Sequence, residues 1–246
     1  MSPRLSVVAP MFNEAAGAAG LVREIAAALA GIDHEIIVVD DGSTDGTREA
    51  LLAEREATPP GSGPGLRIIA HAKNAGQSRA IRTGVIAARA PVVATLDGDG
   101  QNDPADIPAL YEELTRPDAL KALALIGGER RKRQDAPARL WASRIANAVR
   151  SRLLRDGARD TGCGLKVFYR EAFLRLPGFD HMHRYLPALM RREGFAVAFL
   201  PVRHRPRVHG RSKYTNLGRL AVALRDLLGM MWLIDRARSP NEISEL

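Results

Sequence analysis

Four short runs rich in Val, Ile and Leu alternate with helical stretches across the first hundred residues, and this alternation restricts the folds open to the chain more than any other feature. Leu5–Ala9, Glu35–Asp40, Leu66–Ala70 and Pro91–Asp97 read as strands. Glu14–Ala30, Thr44–Ala57 and Ala75–Arg89 read as helices, the first with Leu21, Ile25 and Leu29 at helical spacing. Strands rich in Val and Ile that alternate with helices imply βαβ units and a mostly parallel sheet covered on both faces. The expected class is therefore α/β. The segment TPPGSGPG (58–65) reads as a surface loop inside one domain, because the alternation resumes directly after it.

The second half is less regular. Ala122–Gly127 reads as a strand running into a Gly-rich basic loop, GGERRKRQDAPAR (127–139). A helix from about Ala138 to Arg155, a strand near Leu165–Tyr169, a helix over roughly Met182–Arg192 and a last strand, Phe195–Val202, follow. A second basic segment, RHRPRVHGRSKY (203–214), precedes an apolar helix over Leu217–Ile234 that is interrupted by Arg225 and Asp226. No run of eighteen uncharged apolar residues occurs, and the N-terminus lacks the apolar core of a signal peptide. The single cysteine, Cys163, excludes an intrachain disulfide framework and suits a reducing compartment. A cytosolic domain is expected.

The net charge of +8 comes from 36 basic residues, of which only five are lysines. An arginine excess suits bidentate phosphate binding, and an ordinary basic surface accounts for the total equally well. Position has to decide. Cys163 lies between glycines before an apolar strand, so packing is expected of it and not nucleophilic chemistry. His181 and His183 have no cysteine or third clustered histidine to complete a zinc site.

Two acidic motifs stand at strand ends, where open α/β sheets bind ligands. VVDDGSTDGT (38–47) carries Asp40 and Asp41 followed by turn and cap residues; a helix cap needs only one acidic group. TLDGDGQNDP (95–104) carries Asp97 and Asp99 two apart, which in extended geometry sends both carboxylates to one side, with Gln101 continuing the spacing. Such a pair suits a magnesium or manganese ion that keeps open positions for a diphosphate.

With APMFNE (9–14) and DTGCGLKVFYR (160–170), these motifs resemble the family-2 glycosyltransferases. RVHGRSKY (207–214) adds a likeness to the dolichyl- and polyprenyl-phosphate branch, over about Leu5–Tyr214. The resemblance implies a GT-A, Rossmann-like catalytic domain over 1–214 and a tail over 215–246 with a C-terminal amphipathic helix. It also implies inverting, metal-dependent transfer from a nucleotide sugar (GDP-mannose or a UDP-hexose) to polyprenyl phosphate. On this likeness Pro10, Phe12, Glu14 and Asp40 line the nucleoside pocket with Asp41 close by. Phe12 stands where many relatives have tyrosine. Asp97, Asp99 and Gln101 hold the metal, with Asp99 central to turnover; Arg130 and Arg207 contact phosphates. Arg139 and Ser143 receive the acceptor phosphate, Lys213 belongs to a closing loop, and His183 and Arg184 sit near the acceptor channel.

A polyprenyl acceptor lives in a bilayer. Three arrangements fit the apolar tail: an interfacial helix anchored by Trp232 and arginines, packing on the domain, or attachment through a separate membrane subunit. Two other functions stay open at this level, a family-2 enzyme with a soluble or lipopolysaccharide acceptor and a non-catalytic nucleotide-sugar-binding module. Nucleic-acid binding is not expected, because the basic loops have few interleaved aromatics.

Overall fold

The computed structural model describes residues 2–57, 65–130, 150–158, 160–206 and 216–237, the last with side chains from residue 222. The element order is β1 (Leu5–Met11), α1 (Ala18–Ala28), β2 (His34–Asp40), α2 (Thr47–Ala57), β3 (Gly65–Ala70), α3 (Gln77–Ala87), β4 (Val92–Thr95) and α4 (Ile107–Thr115). Then come β5 (Leu123–Arg130), β6 (Lys166–Tyr169), α5 (Arg170–Leu174), α6 (Leu186–Arg192), β7 (Ala196–Val202) and α7 (Asn216–Asp235).

The strands form one sheet in the order β3-β2-β1-β4-β6-β5-β7. β1, β2, β3 and β4 run parallel, as do β5 and β7; β6 alone is antiparallel to both its neighbours. Every residue of β1 and β2 is buried, as parallel strands covered on both faces must be. Successive side chains serve opposite layers. Val7, Ala9, Ile36, Val38 and Val167 pack with α1 and α4, whereas Val8, Ile37, Val39, Leu125 and Phe168 pack with α3, α5 and α6. The expected single α/β layer architecture is what forms.

Several boundaries differ from the sequence reading, each for a local reason. The first helix starts at Ala18, not Glu14, because Asn13, Glu14 and Ala15 give their N–H groups to Ser43, Thr47 and Asp45 of the next βα loop. The third starts at Gln77 because the Asp41 carboxylate takes the N–H groups of Ala75 and Gly76. β5 continues through Gly127, Gly128, Glu129 and Arg130, which pair with β7, so Arg130 ends a strand and does not lie in a loop. The helix expected over Met182–Arg192 is split into a short 3-10 turn, Met182–Arg184, and α6. The proposed loop 58–64, most of the helix expected over Ala138–Arg155 and the segment 207–215 lie outside the described residues.

α7 divides the readings of the tail between its two faces. Met230 is buried, and Leu227, Leu233 and Ile234 pack on the second core layer. Arg192 Nε donates to the Leu233 carbonyl at 3.1 Å, and His181 pairs with Asp226 at 2.9 Å. Leu224, Leu228, Met231 and Trp232 form an exposed stripe at helical spacing, with Trp232 64% exposed. No helix among the described residues is long and apolar enough to cross a membrane.

At the sheet edge formed by the strand starts, Glu35 serves stability. Its carboxylate accepts from Ser6 Oγ at 2.7 Å, Arg89 N at 2.7 Å and Arg67 at 2.8 Å. Burial alone raises its pKa, but these bonds outweigh burial and hold it below the ordinary glutamate value. A carboxyl with a depressed folded-state pKa stabilises the fold above its unfolded value, and the gain is lost as pH falls through the folded value. Glu35→Gln is expected to cost about 2 kcal/mol at neutral pH and to flatten the loss of stability below pH ~4, read by urea unfolding at pH 7 and pH 3.

Candidate active site

The strand ends carry the acidic motifs and their loops to one edge. Pro10 lies in β1 opposite Val39, and Phe12, Asn13 and Glu14 follow. Asn13, in left-handed conformation at φ 57°, accepts the Thr44 N–H on its side chain at 2.8 Å. The β1–α1 and β2–α2 loops are thus laced together before any ligand arrives. Asp40 is fully buried and accepts from Ser43 N at 2.9 Å and from Arg48 Nε at 2.9 Å. Burial opposes its charge, and the Ser43 and Arg48 bonds overcome that and lower its pKa.

Asp41 turns the other way, onto the β3–α3 loop. Its carboxylate accepts from Ala75 N at 2.9 Å, Gly76 N at 2.8 Å and Asn74 Nδ2 at 2.9 Å, and lies 2.7 Å from His71 Nδ1. The adjacent Gly42 has φ +73°, and a Cβ there would come within 2.6 Å of the Asn74 and Lys73 backbone. The two aspartates after VV therefore divide: Asp40 braces its own turn, and Asp41 pins the loop that begins α3.

Asp97 follows β4 and Asp99 lies in a turn at Gly98–Asp99, so the extended spacing expected of the pair is not how they meet. Gly100, at φ +72°, completes that turn, and Asp99 Oδ1 accepts the Gln101 N–H at 3.1 Å. Burial and then the Asp99 charge raise the Asp97 pKa, partly offset by Lys166, Gln77 and Arg130. Gln77 Nε2, at the start of α3, donates to Asp97 Oδ1 at 2.6 Å. Gly164 presses its backbone on this group, and a Cβ there would meet the Asp97 carboxylate at 2.3 to 2.4 Å.

The opposite wall comes from β5 and from the segment entering β6. Arg130 makes a two-point ion pair with Asp160, Nε to Oδ2 at 2.6 Å and Nη2 to Oδ1 at 2.7 Å. The pair outweighs the desolvation of Arg130 and keeps it charged. Lys166 is buried and donates to the Cys163 carbonyl; burial lowers its pKa against the pull of Cys163, Asp97 and Asp160. Cys163 is itself buried, which pushes its thiol pKa up. Asp97, Gln77, Arg130, His183 and Arg184 line one cavity of about 330 Å3.

In the second basic segment, Arg203 and Arg205 are compensated. Arg203 pairs with Asp106 at 2.9 Å, and Arg205 pairs with Asp103 at 2.7 Å and Glu24 at 2.5 Å. Arg205 N also bonds the Gln101 carbonyl at 2.9 Å, fastening this segment beside the acidic turn. Arg139, Ser143, Arg207 and Lys213 lie outside the described residues.

The family model described as Glycosyl transferase family 2 matches residues 6–176, which includes every acidic motif and the β6 wall. The chain belongs to glycosyl transferase family 2. Among family-2 relatives it is 36% identical over 245 residues to a dodecaprenyl-phosphate galacturonate synthase of Rhizobium johnstonii, covering 98% of this chain and 70% of that protein. It is 34% identical over 231 residues to an undecaprenyl-phosphate 4-deoxy-4-formamido-L-arabinose transferase of Pseudomonas aeruginosa, covering 92% and 65%. The chain thus spans about two thirds of the length of these curated relatives. The glucosyl-3-phosphoglycerate synthase of Mycobacterium tuberculosis, solved with Mn2+, UDP and glucosyl-3-phosphoglycerate, has the same fold. Its TM-score is 0.67 at 20% identity, covering 97% of this chain and 81% of that one. The sheet is that of the GT-A glycosyltransferases.

For this family-2 chain, a divalent cation fits the Asp97–Asp99 turn. Two neighbouring carboxylates in a partly desolvated site repel each other without a countercharge. Carboxylate oxygens are the ligand type that magnesium and manganese take, with phosphate and water oxygens available to complete such a shell. Sequence reasoning gave no role to Gln77, Ser78, Asp160 or Lys166. Asp160 and Lys166 had a signal, as charges flanking the glycines of DTGCGLK. Gln77 and Ser78 had none, since their partners Asp97 and His183 lie 20 and 105 positions away. Asp160→Ala, which strands the buried Arg130 guanidinium, is expected to destabilise the domain by about 3 kcal/mol, measured as the shift in urea midpoint.

Proposed function

We propose that this chain transfers a sugar from a UDP-hexose or GDP-mannose to the phosphate of a membrane-borne polyprenyl phosphate, with inversion at the anomeric carbon. The observation that carries the reading is Asp97 at the sheet edge, bonded by Gln77 and lining one cavity with Arg130 and Arg184, with Asp99 in the turn that follows. Relatives whose names specify dodecaprenyl and undecaprenyl phosphate support the acceptor class.

In this reading Pro10, Phe12, Glu14 and Asp40 line the nucleoside pocket, and Asp41 orders the neighbouring loop. Asp97 and Asp99, with Gln101, hold Mg2+ or Mn2+, which when bound neutralises the departing nucleoside diphosphate. Arg130 and Arg207 stabilise phosphate charge, and Arg139, Ser143 and Lys213 receive the acceptor phosphate. That phosphate is already an anion at neutral pH, so the protein supplies positioning and charge relief and needs little general-base help. An acceptor oxygen forms the new bond to the anomeric carbon as the bond to the diphosphate oxygen breaks. The catalytic unit extends over 1–214, and the tail over 215–246 docks on the cytosolic membrane face. The exposed Leu224, Leu228, Met231 and Trp232 of α7, flanked by exposed Arg225 and Arg236, support that docking.

The decisive experiment is nucleotide release from a panel of GDP- and UDP-sugars with Mg2+ or Mn2+ and a short polyprenyl phosphate. Release that requires both lipid phosphate and metal, with a sugar-phospholipid product, is expected. Release driven by a soluble acceptor, or donor binding with no transfer to any acceptor, would overturn it. Asp99→Ala is expected to lower turnover by at least about a hundredfold with an unchanged circular dichroism spectrum. Leu228→Asp combined with Trp232→Asp is expected to reduce co-sedimentation with anionic vesicles several-fold while leaving thermal unfolding within a few degrees.

A further inference from the structure

His183 occupies a position that the proposed chemistry has not used. It comes from the short 3-10 turn before α6 and lines the same cavity as Asp97, Gln77, Arg130 and Arg184. Its Nδ1 lies 2.7 Å from Ser78 Oγ, and its own backbone N–H donates to that Oγ at 3.3 Å. Ser78 is 3% exposed. Ser78 Oγ, which accepts the His183 backbone N–H, still has its own proton to give to Nδ1. With Nδ1 accepting that proton, the ring proton resides on Nε2, on the other side of a ring that lines the cavity. Burial first, and then the charges of Arg184, Lys166 and His181, hold the imidazole neutral, well below the usual histidine range.

Gln77 and Ser78 are consecutive residues in the first turn of α3. One fixes the Asp97 carboxylate and the other fixes the His183 ring. Asp97 and His183 line the same cavity, so a sugar nucleotide held at Asp97 shares that space with the His183 ring. At about 330 Å3 the cavity falls in the range of small-ligand sites.

We propose that His183 is a substrate-contacting residue whose Nε2–H, oriented by Ser78 as a positioning residue, donates to a hydroxyl oxygen of the sugar being transferred. The inference rests on the donor reading above and assigns to the sugar a contact that the nucleotide does not share. A fixed neutral donor suits an uncharged hydroxyl and is lost on a sugar lacking it.

The test is calorimetric binding with Mn2+ to the full chain, comparing UDP with UDP-galacturonate and UDP-glucose, and GDP with GDP-mannose. Wild type is expected to bind at least one sugar nucleotide more tightly than its bare nucleotide. His183→Ala is expected to erase that increment, about threefold to tenfold in affinity, and to leave UDP and GDP binding unchanged. His183→Gln, whose amide nitrogen reaches the Nε2 position, is expected to restore part of it, and Ser78→Ala to lose part of it. Equal weakening of sugar nucleotide and bare nucleotide in His183→Ala would overturn the inference as a structural effect. An intact increment in that variant, or no increment for any sugar in wild type, would overturn it as well. Failure of wild type to bind any nucleotide would instead reject the donor reading itself.

Discussion

The antiparallel entry of β6 between β4 and β5 is the constraint on which the rest depends. Thr95 pairs with Lys166, so β6 begins where β4 ends. A parallel strand in that place would have delivered its start to the far edge of the sheet. Reversed, it brings Asp160, Cys163, Gly164 and Lys166 to the edge that already carries Asp97, and it does so beside the end of β5, where Arg130 stands. The contact between Gly164 and the Asp97 carboxylate follows from that reversal, as does a buried lysine within reach of two carboxylates. One strand direction joins two distant segments of the sequence into one cavity.

The two ends of the sheet treat buried acids in opposite ways. Glu35, at the strand starts, is over-supplied with donors, and its charge is held stable. Asp97, at the strand ends, has one amide donor and an acidic neighbour, and burial pushes its proton affinity up. The first arrangement closes a structural gap. The second leaves an acid on which burial and an acidic neighbour outweigh the nearby Lys166 and Arg130 charges, the kind of perturbed group that collects at binding sites. Asp41 spends its oxygens on the loop it orders.

Much of the fold was legible because its signal is local. The buried strands β1, β2 and β4 announce themselves by runs of Val, Ile and Leu, and the two acidic motifs stand at the ends of β2 and β4. Helix starts were less legible, because the residues before α1 and α3 lend their N–H groups to side chains on other loops. The extended reading of Asp97 and Asp99 failed for a related reason: the glycines between and after them make a turn. Arg130 looked like part of a basic loop because two glycines precede it, yet pairing with β7 carries the strand through them. The site's wall was the least legible part. An Arg–Asp pair between positions 130 and 160, or a Ser–His contact across 105 residues, is created by topology and leaves no periodic trace.

α3 has a mechanical consequence. Adjacent residues on a helix point about 100° apart, and here one reaches Asp97 and the other His183, both of which line one cavity. The loop ahead of the helix is clamped by Asp41, and Arg82, further along, is tied to the Leu176 carbonyl. The helix therefore behaves as a single rigid spacer with two prongs. A slip or rotation of its first turn would release an acid on one side and a ring on the other at once, so the width of the cavity and the alignment of its walls are one variable, not two.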